Sequence, residues 1–223
     1  MRTTTLEGAA LESIFQDGWL SEQSEKIQRK LLSSAFLVHY NEGEFFYNVG
    51  DVADGLYGVV SGTAQVAILD ANNDPATMHI AQPGFWIGDL ASFSNQKRLV
   101  SVKCSTEVTA VRIKSARLNK LTQNDSEMWK AFYMLSHRNT QALLAIISSM
   151  LNVPPRARVL SSLERMGSPK TQDGCFSEWI NVTQKQLATL VGVSYPTVQR
   201  ALKELEQEQS IEIGYGRIRL IFE

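Results

Sequence analysis

The residues best placed to do chemistry lie between Gln184 and Lys203. Ser194, Tyr195, Pro196, Thr197, Gln199, Arg200 and Lys203 share one outward face of a short helical segment. A guanidinium fork, an amide, hydroxyls and an ammonium in that space suit base edges and phosphates. Each neighbouring position has a mechanical role. Leu187, Ala188 and Val191 give a first helix its apolar face, and Ala188 is small where a second helix crosses it. Gly192 supplies the left-handed backbone of a tight turn and Val193 plugs the corner. Ser194 caps the second helix, Pro196 falls in its first turn, and Val198, Ala201, Leu202 and Leu205 form its buried stripe. The spacing predicts a helix-turn-helix whose second helix enters a DNA major groove, N-terminal end toward the bases.

Other chemistries lack their residues. The chain contains 2 cysteines and 3 histidines. Cys104 and Cys175 match no disulfide framework, zinc pattern or redox pair, and an iron–sulfur centre needs about four thiolates. His39, His79 and His137 are scattered, which argues against haem, a metal site or a roll-fold metalloenzyme. No Ser-His-Asp or Cys-His signature is present, so the expectation is a non-enzyme.

These residues need a scaffold, and 223 residues with 43% hydrophobic and 20% charged positions supply one. Disorder, collagen and mini-protein scaffolds are excluded, and the length predicts two domains. A net charge of -1 gives no overall basic excess, so any nucleic-acid contact comes from a local patch. From Asn152 onward, 9 basic residues face 8 acidic ones. Glu204, Glu206 and Glu208 collect after Lys203, leaving the N-terminal end of the second helix as the basic part. Met1–Ala10 has no signal-peptide pattern, and Ala142–Ile147 is too short to span a membrane. A soluble, cytoplasmic protein is expected.

From Phe36 to Ile113, glycines punctuate β-branched and aromatic runs, which predicts a closed roll of short antiparallel strands. Asn72-Asn73-Asp74-Pro75 is expected at a hairpin tip between strands Ala64–Leu69 and Ala76–Ala81. Ser21–Glu25 reads as a capped helix start, followed by Ile27, Leu31 and Leu32 at helical spacing. Asp125–Leu151 lacks Gly and Pro and predicts one long amphipathic helix. Its stripe of Met128, Phe132, Leu135, Asn139, Ala142, Ile146 and Met150 is expected to form a homodimer seam, with Asn139 fixing register. A helix over Arg156–Met166, closed by Gly167-Ser168-Pro169, and strands at Trp179–Val182, Ser210–Ile213 and Arg217–Phe222 complete a winged domain around Gly214-Tyr215-Gly216. The divisions are 1–20, an N-terminal segment; 21–124, a sensory roll; 125–151, a dimerisation helix; 152–155, a hinge at Pro154-Pro155; and 156–223, the winged helix-turn-helix. The class is α+β.

The order roll, long helix, winged helix resembles the CRP/FNR (catabolite activator/FNR) family of bacterial transcription regulators over about Gly18 to Phe222. Asn41-Glu42-Gly43-Glu44, Gly50–Tyr57, Ser61-Gly62 and Pro83–Leu90 carry the likeness to its cyclic-nucleotide-binding roll. The resemblance implies a double-stranded DNA operator, a homodimer and RNA polymerase as partners. It also implies a cyclic nucleotide or another small effector held by Gly88, Asp89, Leu90, Arg98 and Ser101. Asp89 would face a ribose hydroxyl, and Arg98 with Ser101 a cyclic phosphate. The chain departs from the family in two places: Leu99 and Val100 separate Arg98 from Ser101, and no hydroxyl residue stands at Gln141-Ala142. Where the cyclic-AMP relatives carry an Arg-Glu pair after the capping Ser, Tyr195-Pro196 predicts apolar contact with thymine methyls. Arg200 is expected on guanine, Gln199 on a neighbouring base and Thr197 on phosphate. A roll alone would also suit a nucleotide-binding regulatory module without a DNA role, such as a kinase or channel subunit.

Overall fold

The computed structural model describes residues 3–4, 18–69, 74–150, 153–167 and 175–222. The chain divides into two units, 1–75 with 81–141, and 76–80 with 142–223.

The first unit is built on two antiparallel sheets. Strands β1 (Thr3–Thr4), β2 (Phe36–Tyr40), β3 (Phe45–Tyr47), β4 (Gly55–Ser61), β5 (Ala64–Leu69), β6 (Pro75–Ala81, most of which falls in the second unit), β7 (Trp86–Ile87), β8 (Ser101–Cys104) and β9 (Val108–Lys114) follow in chain order, and those of the first unit form sheets in the orders β1-β2-β9-β4-β7 and β3-β8-β5. Successive side chains of a strand point to opposite faces, so β2, β4 and β9 divide their residues between two cores. Leu37, Leu56, Val60, Val111 and Ile113 join one with the helices, and Val38, Tyr57, Val59, Val108 and Ala110 join another with the second sheet. Both faces are covered, which explains why β4 is buried along nearly its whole length. Gly58 is required there: a Cβ would lie 2.6 Å from the Trp86 ring. Of the expected hairpin tip, Asn72 and Asn73 lie outside the described residues.

Among the described residues, this unit holds four helices: α1 (Glu25–Ser33), α2 (Asp89–Ser94), α3 (Ser115–Thr122) and the first part of α4 (Ser126–Met150). Ser24 caps α1 by accepting the Ile27 amide, as a short hydroxyl side chain can. Asp125 starts α4 by accepting the Met128 amide at 3.0 Å, and Lys30 donates to its other oxygen.

Three residues of the expected dimer seam belong instead to the core of the roll. Met128, Phe132 and Leu135 are buried in their own protomer's core, alongside Trp19, Leu20, Ile27, Leu31 and Trp86. Trp19 stacks on Phe132 at 5.9 Å, meets Trp86 edge-on at 5.4 Å, and its Nε1 donates to the Ala131 carbonyl at 2.8 Å. Burying such side chains stabilises by about 1.5–3 kcal/mol each, and the roll claims that energy. Asn139, expected to fix register in the seam, donates to the Trp86 carbonyl and to Asp89, so it ties α4 to the roll. Ala142 is half-buried and Ile146 buried; the side chain of Met150 lies outside the described residues. A different face of α4 stays open: Trp129, Tyr133, Leu143, Leu144 and Ile147 are exposed.

In the second unit, α5 (Pro155–Met166), α6 (Gln184–Val191) and α7 (Tyr195–Gln207) pack around Val159, Leu163, Leu187, Val191, Val198, Leu202 and Leu205. Strands β10 (Ile211–Gly214) and β11 (Arg217–Leu220) form an antiparallel wing. The expected strand Trp179–Val182 is absent. Ile180 makes a single bridge to Ile218, and the Val182 amide turns back to the Ile180 carbonyl, which ends any ladder. Ser168 and Pro169 of the expected helix stop, and Asn152 of the expected hinge, lie outside the described residues.

Candidate nucleic-acid interface and effector site

The helix pair is fixed at both ends by local chemistry. Thr183 and Gln186 form a reciprocal capping box at the start of α6: the Thr183 hydroxyl accepts the Gln186 amide at 3.2 Å, and the Gln186 side chain accepts the Thr183 amide at 2.8 Å. Gly192 closes α6 at φ 68 and ψ 40, donating back to Ala188 and Thr189. No atom lies within 4 Å of a Cβ built there, so conformation alone demands the glycine. The Ser194 hydroxyl caps α7 by accepting the Thr197 amide, and lies 2.8 Å from the Thr197 hydroxyl. Val198, Ala201, Leu202 and Leu205 are buried, leaving Tyr195, Pro196, Gln199, Arg200 and Lys203 on the solvent face. Gln199 donates to the Tyr195 hydroxyl at 3.2 Å, so these two act as one unit.

A groove of about 830 Å³ runs from that face to the wing, lined by Lys185, Tyr195, Gln199, Tyr215 and Arg217 among others. Tyr215 is fully exposed at the wing tip, next to Gly216 at φ 67. Arg217 is held by stacking over Trp179 at 4.3 Å. The groove therefore joins a helix N-terminus, two cations and two tyrosines with their polar ends in water.

The residues that the family resemblance assigns to an effector are placed differently. Arg98 is 2% exposed. It donates to the Gly88 carbonyl at 2.9 Å, the Gly55 carbonyl at 2.6 Å and Asp54 at 2.9 Å, and lies over Tyr47 at 4.0 Å. Asp54 in turn accepts from Arg112 at 2.5 Å and the Tyr57 hydroxyl at 2.9 Å. Burial pushes the phenols of Tyr47 and Tyr57 far above their ordinary range, so Tyr57 remains a donor. Asp89, also buried, accepts from Ser136 at 2.6 Å and Asn139 at 2.9 Å. Ser101 accepts the Val49 amide at 2.9 Å, and Leu90 is exposed. Among the described residues no group of three or more His, Cys, Asp or Glu could hold a metal.

Comparison with known proteins gives the same two-part division. The cyclic nucleotide-binding domain family matches residues 37–125, and the Crp-like helix-turn-helix domain family matches 157–221. The cAMP-activated global transcriptional regulator Vfr of Pseudomonas aeruginosa is 26% identical over 204 residues, covering 86% of this chain and 92% of Vfr. The chain belongs to the CRP/FNR family. The transcriptional regulator SdrP of Thermus thermophilus is 25% identical, covering 75% of this chain and 80% of SdrP. FixK2 of Bradyrhizobium japonicum shares the fold at a TM-score of 0.69 and 16% identity, covering 85% of this chain and 93% of FixK2.

This CRP/FNR regulator is thus a transcription regulator with a helix-turn-helix DNA-binding domain, and a module without a DNA role is not favoured. Its α7 face brings together the residues singled out in the sequence, with Thr197 half-buried against its cap. Of the effector set, Arg98 meets Gly88 and Asp54, whereas Asp89 turns to α4 and Ser101 to Val49. Residues of the groove and of the Arg98 network, Lys185, Tyr215, Arg217, Asp54 and Arg112, escaped the sequence reading. Tyr215 and Arg217 lacked a spacing signal, although a tyrosine flanked by glycines on a hairpin was one available hint. Asp54 gave no hint, because its partners lie 44 and 58 residues away.

Proposed function

We propose that the chain acts as a homodimer that reads a near-palindromic operator with the N-terminal end of α7. The observation that carries this reading is the capped, polar, solvent-facing start of α7 in one groove with the wing. Ser194, Tyr195, Pro196, Thr197, Gln199, Arg200 and Lys203 supply the contacts. Arg200 takes a guanine through its bidentate fork, Tyr195 with Gln199 reads neighbouring bases, and Lys185, Tyr215 and Arg217 meet the flanking backbone. The open face of α4, with Trp129, Tyr133, Leu144 and Ile147, supports a seam with a second copy, since apolar patches of this kind mark interaction sites. A two-fold dimer places half-sites roughly one helical turn, about 34 Å, apart. Residues 152–155 serve as the hinge, RNA polymerase is the partner at the promoter, and the cytoplasm is the place of action. Among the described residues no helix is long and apolar enough to cross a membrane.

Vfr is named for activation by cAMP. In this chain the polar side chains assigned to such a ligand, Arg98, Asp89 and Ser101, are all engaged within the protein, which argues against a fit as they stand. The test of the reading is selection of operators from a random library, followed by affinity across single-base variants at several salt concentrations. The expected outcome is a palindromic site with a steep salt dependence, and loss of preference at one base pair for Arg200→Ala. Salt-insensitive binding without sequence preference would overturn it.

A further inference from the structure

We infer that the roll carries its own anion: Asp54 is an internal ligand of Arg98, the residue to which the family resemblance assigns a cyclic phosphate, so the roll is complete without a nucleotide. The inference deepens the proposed function by naming what occupies the sensory site, and it rests on that reading only for its consequence at the operator.

Four observations converge. The Arg98 guanidinium lies directly against the loop that opens α2. Its Nη1 bonds the Gly88 carbonyl, and a Cβ on Gly88 would come within 2.7 Å of that nitrogen, so this donor is spent on the loop. Its Nη2 is shared by the Gly55 carbonyl and Asp54. Its Nε has no partner but is itself shut off from solvent. The Asp54 carboxylate is fixed from the other side by Arg112 and Tyr57, three donors on one anion. Charge-assisted bonds of this kind are among the stronger ones in proteins.

The remaining ligand groups are committed in the same way. Asp89, in place of a ribose hydroxyl, accepts from Ser136 and Asn139 and so clasps α4. Ser101 spends its hydroxyl on Val49, and the position beside Arg98 that would offer a hydroxyl is Leu99, which faces solvent. An incoming phosphodiester would have to exchange one monoanion for another and leave Asp54 behind. The side chain of Asp54 is 42% exposed, whereas that of Arg98 is 1% exposed, so competition could reach the pair only from the carboxylate's edge.

The experiment is a thermal-shift and calorimetric titration of the full chain with cyclic AMP, cyclic GMP and inorganic phosphate at millimolar concentration. For the wild type no rise in Tm and no saturable heat are expected. Asp54→Asn keeps the side chain's size while removing its charge, and Asp54→Ala vacates the position. In either variant, phosphate and cyclic AMP should now raise Tm in step with the logarithm of their concentration, because they bind the folded state alone. A wild-type chain that binds cyclic AMP saturably overturns the inference, as does an Asp54→Asn protein that neither anion stabilises. Operator affinity of the wild type, with and without cyclic AMP, separates this claim from the one it rests on. Failure to select any operator counts against α7 as the reader, whereas an affinity that rises about tenfold or more with nucleotide counts against the internal anion.

Discussion

Arg98 in the roll reaches two carbonyls and a carboxylate of its own chain, while Arg200 stands on the open face of α7 within two turns of the capping Ser194. A guanidinium taken out of water must have its donors answered by the protein, and once answered it fixes the loops that answer it. One left in water keeps its fork for an acceptor that arrives from outside. α4 repeats the contrast along its length. Phe132 is 1% exposed and Tyr133, its neighbour in sequence, is 67% exposed. In both regions, burial separates the side chains that make the fold from those that serve a partner.

The largest test of that division is Phe132→Ala, expected to lower the stability of the roll by about 3–5 kcal/mol, as truncation of a buried aromatic does. The loss should be independent of protein concentration in denaturant unfolding. Tyr133→Glu should leave the unfolding free energy of the monomer within about 0.5 kcal/mol and instead shift sedimentation toward monomers. If Phe132→Ala changes only the oligomeric state, its assignment to the protomer's own core is wrong.

Next, Arg98→Met should cost about 1.5–3 kcal/mol of stability through lost charge-assisted bonds, with no altered base preference beyond that loss. Arg200→Ala should do the reverse: unfolding unchanged, and about 1–3 kcal/mol of operator affinity lost per half-site at a single base pair. A uniform loss at every position would move Arg200 to the phosphate backbone. A smaller effect is expected of Gly192→Ala, about 1–2 kcal/mol, since the position is open in space and only its positive φ resists a side chain. The smallest concerns the thiols. Burial pushes Cys104 up to about 11 and leaves it as an unreactive thiol at pH 8, whereas Cys175 is exposed. A disulfide reagent should therefore titrate one thiol in the native protein and two after unfolding.

The winged helix was legible because its signals are local. Ser194 as a cap, a glycine at the turn and apolar residues at three- and four-residue steps each act within a few positions. The long helix was legible in its existence and not in its partner. Met128, Phe132 and Leu135 recur at helical spacing, but so do Trp129, Tyr133 and Leu144, and periodicity does not say which stripe meets the roll. Trp179–Val182 has the composition of a strand, yet the wing's β11 offers it a single bridging residue at Ile218. The network of Asp54, Arg98 and Arg112 was beyond reach, since sheet register, through Tyr57 opposite Arg112, is what brings these residues together.

The four tryptophans are distributed so that each part of the molecule has an optical label of its own. Trp19 and Trp86, edge to face at 5.4 Å inside the roll, form a coupled pair whose near-ultraviolet dichroism should vanish when that core melts. Trp129 sits half in water on the open side of α4, where a second copy would shift its emission to the blue. Trp179 lies beneath Arg217 and Arg219, at 4.3 Å and 4.7 Å, so any polyanion that draws those cations away should change its brightness. Unfolding, self-association and operator capture can thus be followed in an unlabelled sample, each through a different indole.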